Sequence, residues 1–452
     1  MGLLFATILA SLVILVVSYR RKNTTWESLL HPRVGPLAYL IYALLLPPAY
    51  MAVTGNGIGS ISHDTLTPMT TLVMCLTVLS FLVGTYLHNL FRQPRQEDSG
   101  HLGRTARPPV LGNDNPRTLV QFGRLLLVLS ILAKIYQVRA GGSVFSSAYG
   151  ADQTSFDATS SIGVFGESLV GVGSLAIMYG NSRDSRGPLR GWDFLLIGGV
   201  LSISLLLLGS RGEALAPIIL YVWFRARMGR KIRRALLVVG AVGLTGVLML
   251  VWQVRSVTSA AGDYPLAQQI LWQTSSPQLL TANVTSLVPS TVGFYNGGTY
   301  LSALKYFAPG PISRALFGAP TGTGAGAYRD LIQFSDPNQG FGFALPTEAY
   351  LNFGLVGVVV VGVLLGLLFQ ATFTWAVDSS LTFRVSSFVY PLLVSYLPYG
   401  LRTDALGQIK SIVYPILIVA IGLLLARSVS VATKSHNHAK DVAGRDLIPS
   451  RR

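Results

Sequence analysis

The sequence predicts an all-α polytopic membrane protein of about eleven transmembrane helices, within a range of ten to twelve. Three observations carry this. Half of the 452 residues are hydrophobic and only 12% are charged, about half the charge density of an ordinary soluble domain. Apolar runs approaching the roughly 20 residues that cross a bilayer recur along the chain. The basic residues gather in the connections between these runs, which is how the positive-inside rule shows in a sequence. That placement also accounts for the net charge of +16. Nucleic-acid binding would need basic stripes interleaved with aromatics, and these are absent.

Residues 1–18 form the first span. No basic residue precedes it, and Arg20, Arg21 and Lys22 follow it, which favours an uncleaved anchor with its N-terminus outside. Residues 36–53 form the second. Pro47 and Pro48 are expected to kink or break it, because neither can donate a backbone hydrogen bond. The third span, residues 67–89, holds Cys75, the only cysteine. A single thiol excludes an internal disulfide or a cysteine-rich metal site and reads as buried and inert. A cytoplasmic loop, residues 92–117, carries Arg92, Arg95, Arg104, Arg107 and Arg117. Spans at 118–137 and 161–180 contain Arg124, Lys134 and Glu167. Charges at membrane depth cost on the order of 3 kcal/mol each, so Arg124 and Glu167 read as an intramembrane pair or as cavity liners.

The sixth span, residues 192–208, ends in Gly209-Ser210-Arg211-Gly212-Glu213, and the seventh, residues 214–224, begins at once. It descends to the stretch from Arg225 to Arg234, where six of ten residues are basic. This cluster marks the cytoplasmic side, so the turn at Arg211 faces away from it. The eighth span, residues 235–254, leads to a long extracytoplasmic loop, residues 255–343. Loops of this length are usually functional. Within it, residues 265–285 are expected to form one or two amphipathic helices on the membrane surface. The glycine-rich stretch from Gly318 to Gly326 is expected to be a flexible or a backbone-exposing turn. The ninth, tenth and eleventh spans cover residues 346–369, 387–401 and 407–426. Residues 1–426 are thus one transmembrane domain, and residues 427–452 are a basic cytoplasmic tail.

The outer face gathers Arg211, Glu213, Arg255, Arg314, Arg329, Glu348, Arg402 and Asp404. Guanidinium groups with few lysines suit bidentate binding of phosphate or pyrophosphate. The carboxylates can pair with them or act as a base. Each has a plainer reading beside it. Arg211 and Glu213 also suit an ion pair capping a hairpin. Glu348 sits in the first turn of a helix, where a carboxylate complements the dipole. Arg402 and Asp404 suit an interfacial anchor with its counter-charge, and Arg314 and Arg329 suit solvated loop charges. No residue pattern suggests a metal, a nucleotide loop or another cofactor.

The turn Gly209-Ser210-Arg211-Gly212-Glu213 resembles the central signature of bacterial O-antigen polymerases, which join oligosaccharide repeat units. The stretch Glu348-Ala349-Tyr350-Leu351-Asn352-Phe353-Gly354, entering an apolar span after the long loop, is similar to a second family motif. Leu401-Arg402-Thr403-Asp404 is similar to a late Arg-Gly-Asp-like turn, with Thr403 in place of glycine. The resemblance covers residues 190–426. It implies a multi-span, GT-C-like glycosyltransferase of the bacterial cytoplasmic membrane, working on the outer face on undecaprenyl-pyrophosphate-linked oligosaccharides and needing no cofactor. A chain-length regulator and a flippase are the partners it implies. On this reading Arg211, Glu213, Arg255, Arg314, Arg329, Arg402 and Tyr350 bind pyrophosphate or sugar, and Arg211, Glu348 and Asp404 are catalytic. An O-antigen ligase is the nearest alternative, but the family resemblance would place a histidine in the long loop, and residues 255–343 contain none. A transporter or flippase of lipid-linked sugars would use the charges at Arg124, Lys134 and Glu167. A membrane assembly factor without catalytic activity is the remaining alternative.

Overall fold

The computed structural model describes residues 2–21, 30–58, 66–91, 116–141, 156–182, 188–207, 212–228, 246, 265–272, 274–308, 310–318, 322–332, 343–378 and 385–422. Its regular elements are all helices: α1 (Gly2–Arg21), α2 (Gly35–Thr54), α3 (Pro68–Phe91), α4 (Pro116–Gly141), α5 (Phe156–Ser182), α6 (Gly191–Ser202, continued by a π turn, Ile203–Leu207) and α7 (Gly212–Arg227). After the segment that includes the expected eighth span, which apart from Gly246 lies outside the described residues, come α8 (Leu266–Trp272), α9 (Ser276–Leu287), α10 (Gly298–Lys305), α11 (Gly310–Phe317) and α12 (Gly324–Leu331). The chain closes with α13 (Leu345–Asp378), α14 (Val385–Gly400) and α15 (Ala405–Gly422). Among the described residues, α1, α2, α3, α4, α13 and α15 contain stretches long and apolar enough to cross a membrane, and α6 and α14 contain shorter apolar stretches.

Helices α3 and α13 form a close pair and run in the same direction. Gly84 lies against Val363 and Leu367, and Gly362 lies against Ser80 and Thr77. A Cβ on Gly84 would collide with the Val363 carbonyl oxygen, and one on Gly366 with that of Phe81. The absent side chains let the two backbones touch, which is how membrane helices associate where lipid is as apolar as leucine. A second close pair joins α4 to α5, with Gly123 against Gly173. Arg124 on α4 does not pair with Glu167. Its Nε donates to Asp193 Oδ1 at 2.8 Å, and Asn181 Nδ2 donates to the other oxygen at 2.7 Å. The fully buried Asp193 thus keeps partners on both oxygens, as a charge away from water requires.

The paired prolines disturb α2 without ending it, and the consequence reaches further. Pro47 and Pro48 cannot donate to the carbonyls four residues back, those of Ala43 and Leu44. The helix widens into a π turn over Ile41–Leu45. The freed carbonyls accept from the side chain of Gln278 on α9, whose Nε2 lies 2.7 Å from Ala43 O and 3.2 Å from Leu44 O. This departs from the surface placement expected for residues 265–285. Two helices form there, but α9 is inserted in the bundle, with Gln278 and Thr281 fully buried. Its polar residues find partners inside: the hydroxyls of Thr281 and Thr347 share a hydrogen bond of 2.7 Å.

The expected ninth span is not one straight helix. Gly354 has φ 62° and ψ −150°, a conformation open only to glycine, and it breaks α13 into arms of residues 345–353 and 355–378. Leu345 and Leu365 line one pocket, together with residues of α14 and α15. An unbroken helix would hold these two residues about 30 Å apart, so the short arm folds back beside the long one. Gly357 meets the carbonyl oxygen of Ala349 at the elbow.

Candidate functional site

The break at Gly354 leaves the last carbonyls of the short arm without helical partners. The segment leading into α10 supplies them. Tyr295 N donates to Leu351 O at 3.1 Å and Asn296 N to Asn352 O at 3.0 Å. Gly297 N donates to the side-chain oxygen of Asn352 at 3.0 Å. The long loop is therefore hung on the short arm by its backbone, which brings Thr299 and Tyr300, at the start of α10, over Glu348.

Glu348 is fully buried. Its Oε1 accepts from the Thr299 hydroxyl at 2.7 Å, and its Oε2 accepts from Ala405 N at 2.6 Å. Ala405 is the first residue of α15, so Glu348 meets the dipole of a helix other than its own. Asn352, one turn further along the short arm, donates to Thr299 Oγ1 at 2.7 Å and to Glu348 O at 2.8 Å. Asn352, Thr299, Glu348 and Ala405 form a continuous chain of satisfied polar groups. Such a chain fixes geometry when every member is paired.

Asp404 caps α15. Its Oδ1 accepts from Gly407 N at 3.0 Å, and Oδ2 accepts from Ala325 N of α12 at 3.3 Å. It is 8% exposed, against none for Glu348. The glycine-rich stretch is helical from Gly324 onward rather than a flexible turn, with Thr323 accepting from Gly326 N as the cap. A Cβ on Gly324 would stand 2.8 Å from Glu348 Cδ, so its bare backbone is what lets α12 close over the carboxylates. Four elements, α10, α12, the short arm of α13 and α15, thus converge on Glu348 and Asp404.

Tyr300 stands beside this cluster. Its ring lies nearly parallel to that of Phe353, at 13°, with centroids 6.2 Å apart. Its hydroxyl oxygen is buried and has no hydrogen-bond partner among the described residues. Burial and the Glu348 carboxylate push the phenol up, so it remains a proton donor at neutral pH.

The expected site residues divide as follows. Glu348 and Asp404 come together. Arg402 is exposed, and its Nε donates to Ser276 Oγ at 3.1 Å, at the start of α9. Arg329 is exposed in the last turn of α12. Tyr350 is packed into the core against Phe294, with its hydroxyl donating to Val288 O at 3.3 Å. Arg211 and Arg255 lie outside the described residues, as do the side chains of Glu213 in α7 and Arg314 in α11. Thr299, Tyr300 and Ala405 were not singled out by sequence as site residues, Gly324 only as part of the glycine-rich stretch and Asn352 only as part of a motif. Among the described residues no group of three or more His, Cys, Asp and Glu side chains is placed to hold a metal.

A family model, O-antigen polysaccharide polymerase Wzy, matches residues 119–435. That is well over half of the chain and includes every residue of the cluster. No curated protein and no solved structure matches it.

Proposed function

The chain belongs to the family of O-antigen polysaccharide polymerases, and on that premise we propose that it joins undecaprenyl-pyrophosphate-linked oligosaccharide units on the outer face of the bacterial cytoplasmic membrane. A hydroxyl at the non-reducing end of one unit attacks the anomeric carbon of another chain. A glycosidic C–O bond forms, and the anomeric C–O bond to the diphosphate breaks. The electron pair leaves with the diphosphate, and the acceptor proton passes to a carboxylate. No nucleotide is needed, because the donor is already activated.

The observation that carries this reading is the convergence of the long loop with the ends of two late helices on Glu348 and Asp404. A loop that only linked spans would have no reason to bury a carboxylate pair. Both carboxylates have both oxygens engaged, but Glu348 is fully buried, which favours it as the group that positions the acceptor's surroundings. Asp404, the more accessible of the two, is the better proton acceptor. Arg211, Arg255, Arg314, Arg329 and Arg402 are proposed to receive the departing diphosphate, where negative charge builds in the transition state. We read the full topology as eleven spans, with the N-terminus outside and the C-terminus cytoplasmic, and with a chain-length regulator and a flippase as partners.

The test is polymer analysis. Deleting the gene should leave surface glycan capped by single repeat units, and the wild-type gene should restore long chains. Arg211→Ala should lower polymerisation about a hundredfold, the effect of removing one preorganised donor to a developing anion. Full-length polymer from that variant would take Arg211 out of the mechanism. Loss of the single repeats in the deletion strain would point to a transporter or ligase.

A further inference from the structure

Around Glu348 the hydrogen-bond accounting closes for Thr299, Asn352 and Glu348 itself. It does not close for Tyr300. The hydroxyl is buried without a partner among the described residues, although the ring is stacked on Phe353, which itself packs against the backbone at Gly297, whose added Cβ would stand 3.1 Å from Phe353 Cζ. Buried polar groups are nearly always paired, and each exception asks for an explanation. A fixed phenol beside a carboxylate, kept as a donor by burial, has the chemistry to meet an oxygen that arrives with a ligand. Phe353 is 46% exposed, and an exposed aromatic ring is the surface on which the C–H face of a pyranose packs.

We propose that the Tyr300 hydroxyl is a saccharide-binding donor, which takes an oxygen of the sugar that enters beside Glu348 while Phe353 supports the sugar ring. The assignment rests on the polymerase reading and extends it to the sugar contact. It has a signature that a structural role lacks. A residue that holds the fold together lowers stability when it is removed. A hydroxyl left unpaired until substrate arrives does the reverse.

The experiment uses the full chain purified in detergent, with Tyr300→Phe, which removes one oxygen and keeps the ring and its stack. Thermal unfolding is measured without substrate. Polymerisation is measured with polyprenyl-diphosphate-linked repeat units of the source strain. The substrate-free midpoint should be unchanged or higher. The apparent KM should rise about tenfold, the effect of losing one hydrogen bond of ordinary strength, with a smaller change in kcat. A lower midpoint overturns the assignment, because the hydroxyl then has a structural partner. A wild-type KM overturns it as well, and if the wild-type chain polymerises in the same assay, the polymerase reading stands. A wild-type chain that turns over no lipid-linked units overturns both.

Discussion

At the scale of single residues, the cluster is held by acceptors serving donors from other elements. Glu348→Ala would strand the Thr299 hydroxyl and the Ala405 N–H, and a buried donor left unmade costs about 1–3 kcal/mol. The expected outcome is loss of polymer together with a lower unfolding midpoint. Glu348→Gln keeps the shape and should lose polymer with a smaller fall in midpoint. Wild-type polymer from the glutamine variant would show that the negative charge has no part in the reaction. Glu348 and Asp404 were legible in the sequence because carboxylates at the ends of apolar runs are rare and costly. Asn352 was legible in principle: it stands four residues after Glu348, so both share one face of a helix that is otherwise apolar. Thr299 and Tyr300 were not, since an uncharged polar residue in a polar loop carries no pattern. Their roles come from the backbone pairing of residues 295–297 with the short arm.

At the scale of elements, the prolines of α2 and the position of α9 are one feature. Gln278→Leu should leave the carbonyls of Ala43 and Leu44 without their side-chain partner and weaken the docking of the loop by about 1–3 kcal/mol. The check is proteolysis of the long loop, which should become faster, alongside a lower midpoint. Unchanged cleavage would mean that the loop is anchored by other contacts. The disturbance of the helix was readable from Pro47 and Pro48 by the missing donors. Its partner was not, because Gln278 lies 235 residues away and nothing local marks a glutamine as a cap. The fold-back at Gly354 was missed for a related reason. A glycine within an apolar run of membrane type is common in spans, and only its φ of 62° shows that the run is two arms.

At the scale of the whole molecule, the all-helical class and the apolar stretches were legible because both follow from composition and period. Which helices meet was not. The α3 and α13 contact depends on Gly84, Gly362 and Gly366, small residues whose role is visible only once the backbones touch. Gly366→Leu should force the pair apart and cost on the order of 1–3 kcal/mol, as overpacking does in a dense core. Leu364→Ala, at a 57% exposed position on the same helix, is the control and should shift the midpoint far less. Equal shifts would deny the glycine contact its role in holding the pair together.

The Gln278 clamp also sets a timetable for biogenesis. Ala43 and Leu44 leave the ribosome 235 and 234 residues ahead of the glutamine that completes them. At ordinary translation speeds that interval is on the order of ten to fifty seconds. Throughout it, two carbonyls of a nascent span wait in or beside the bilayer for a segment that has not been made, and the insertion machinery has to shelter them until it arrives.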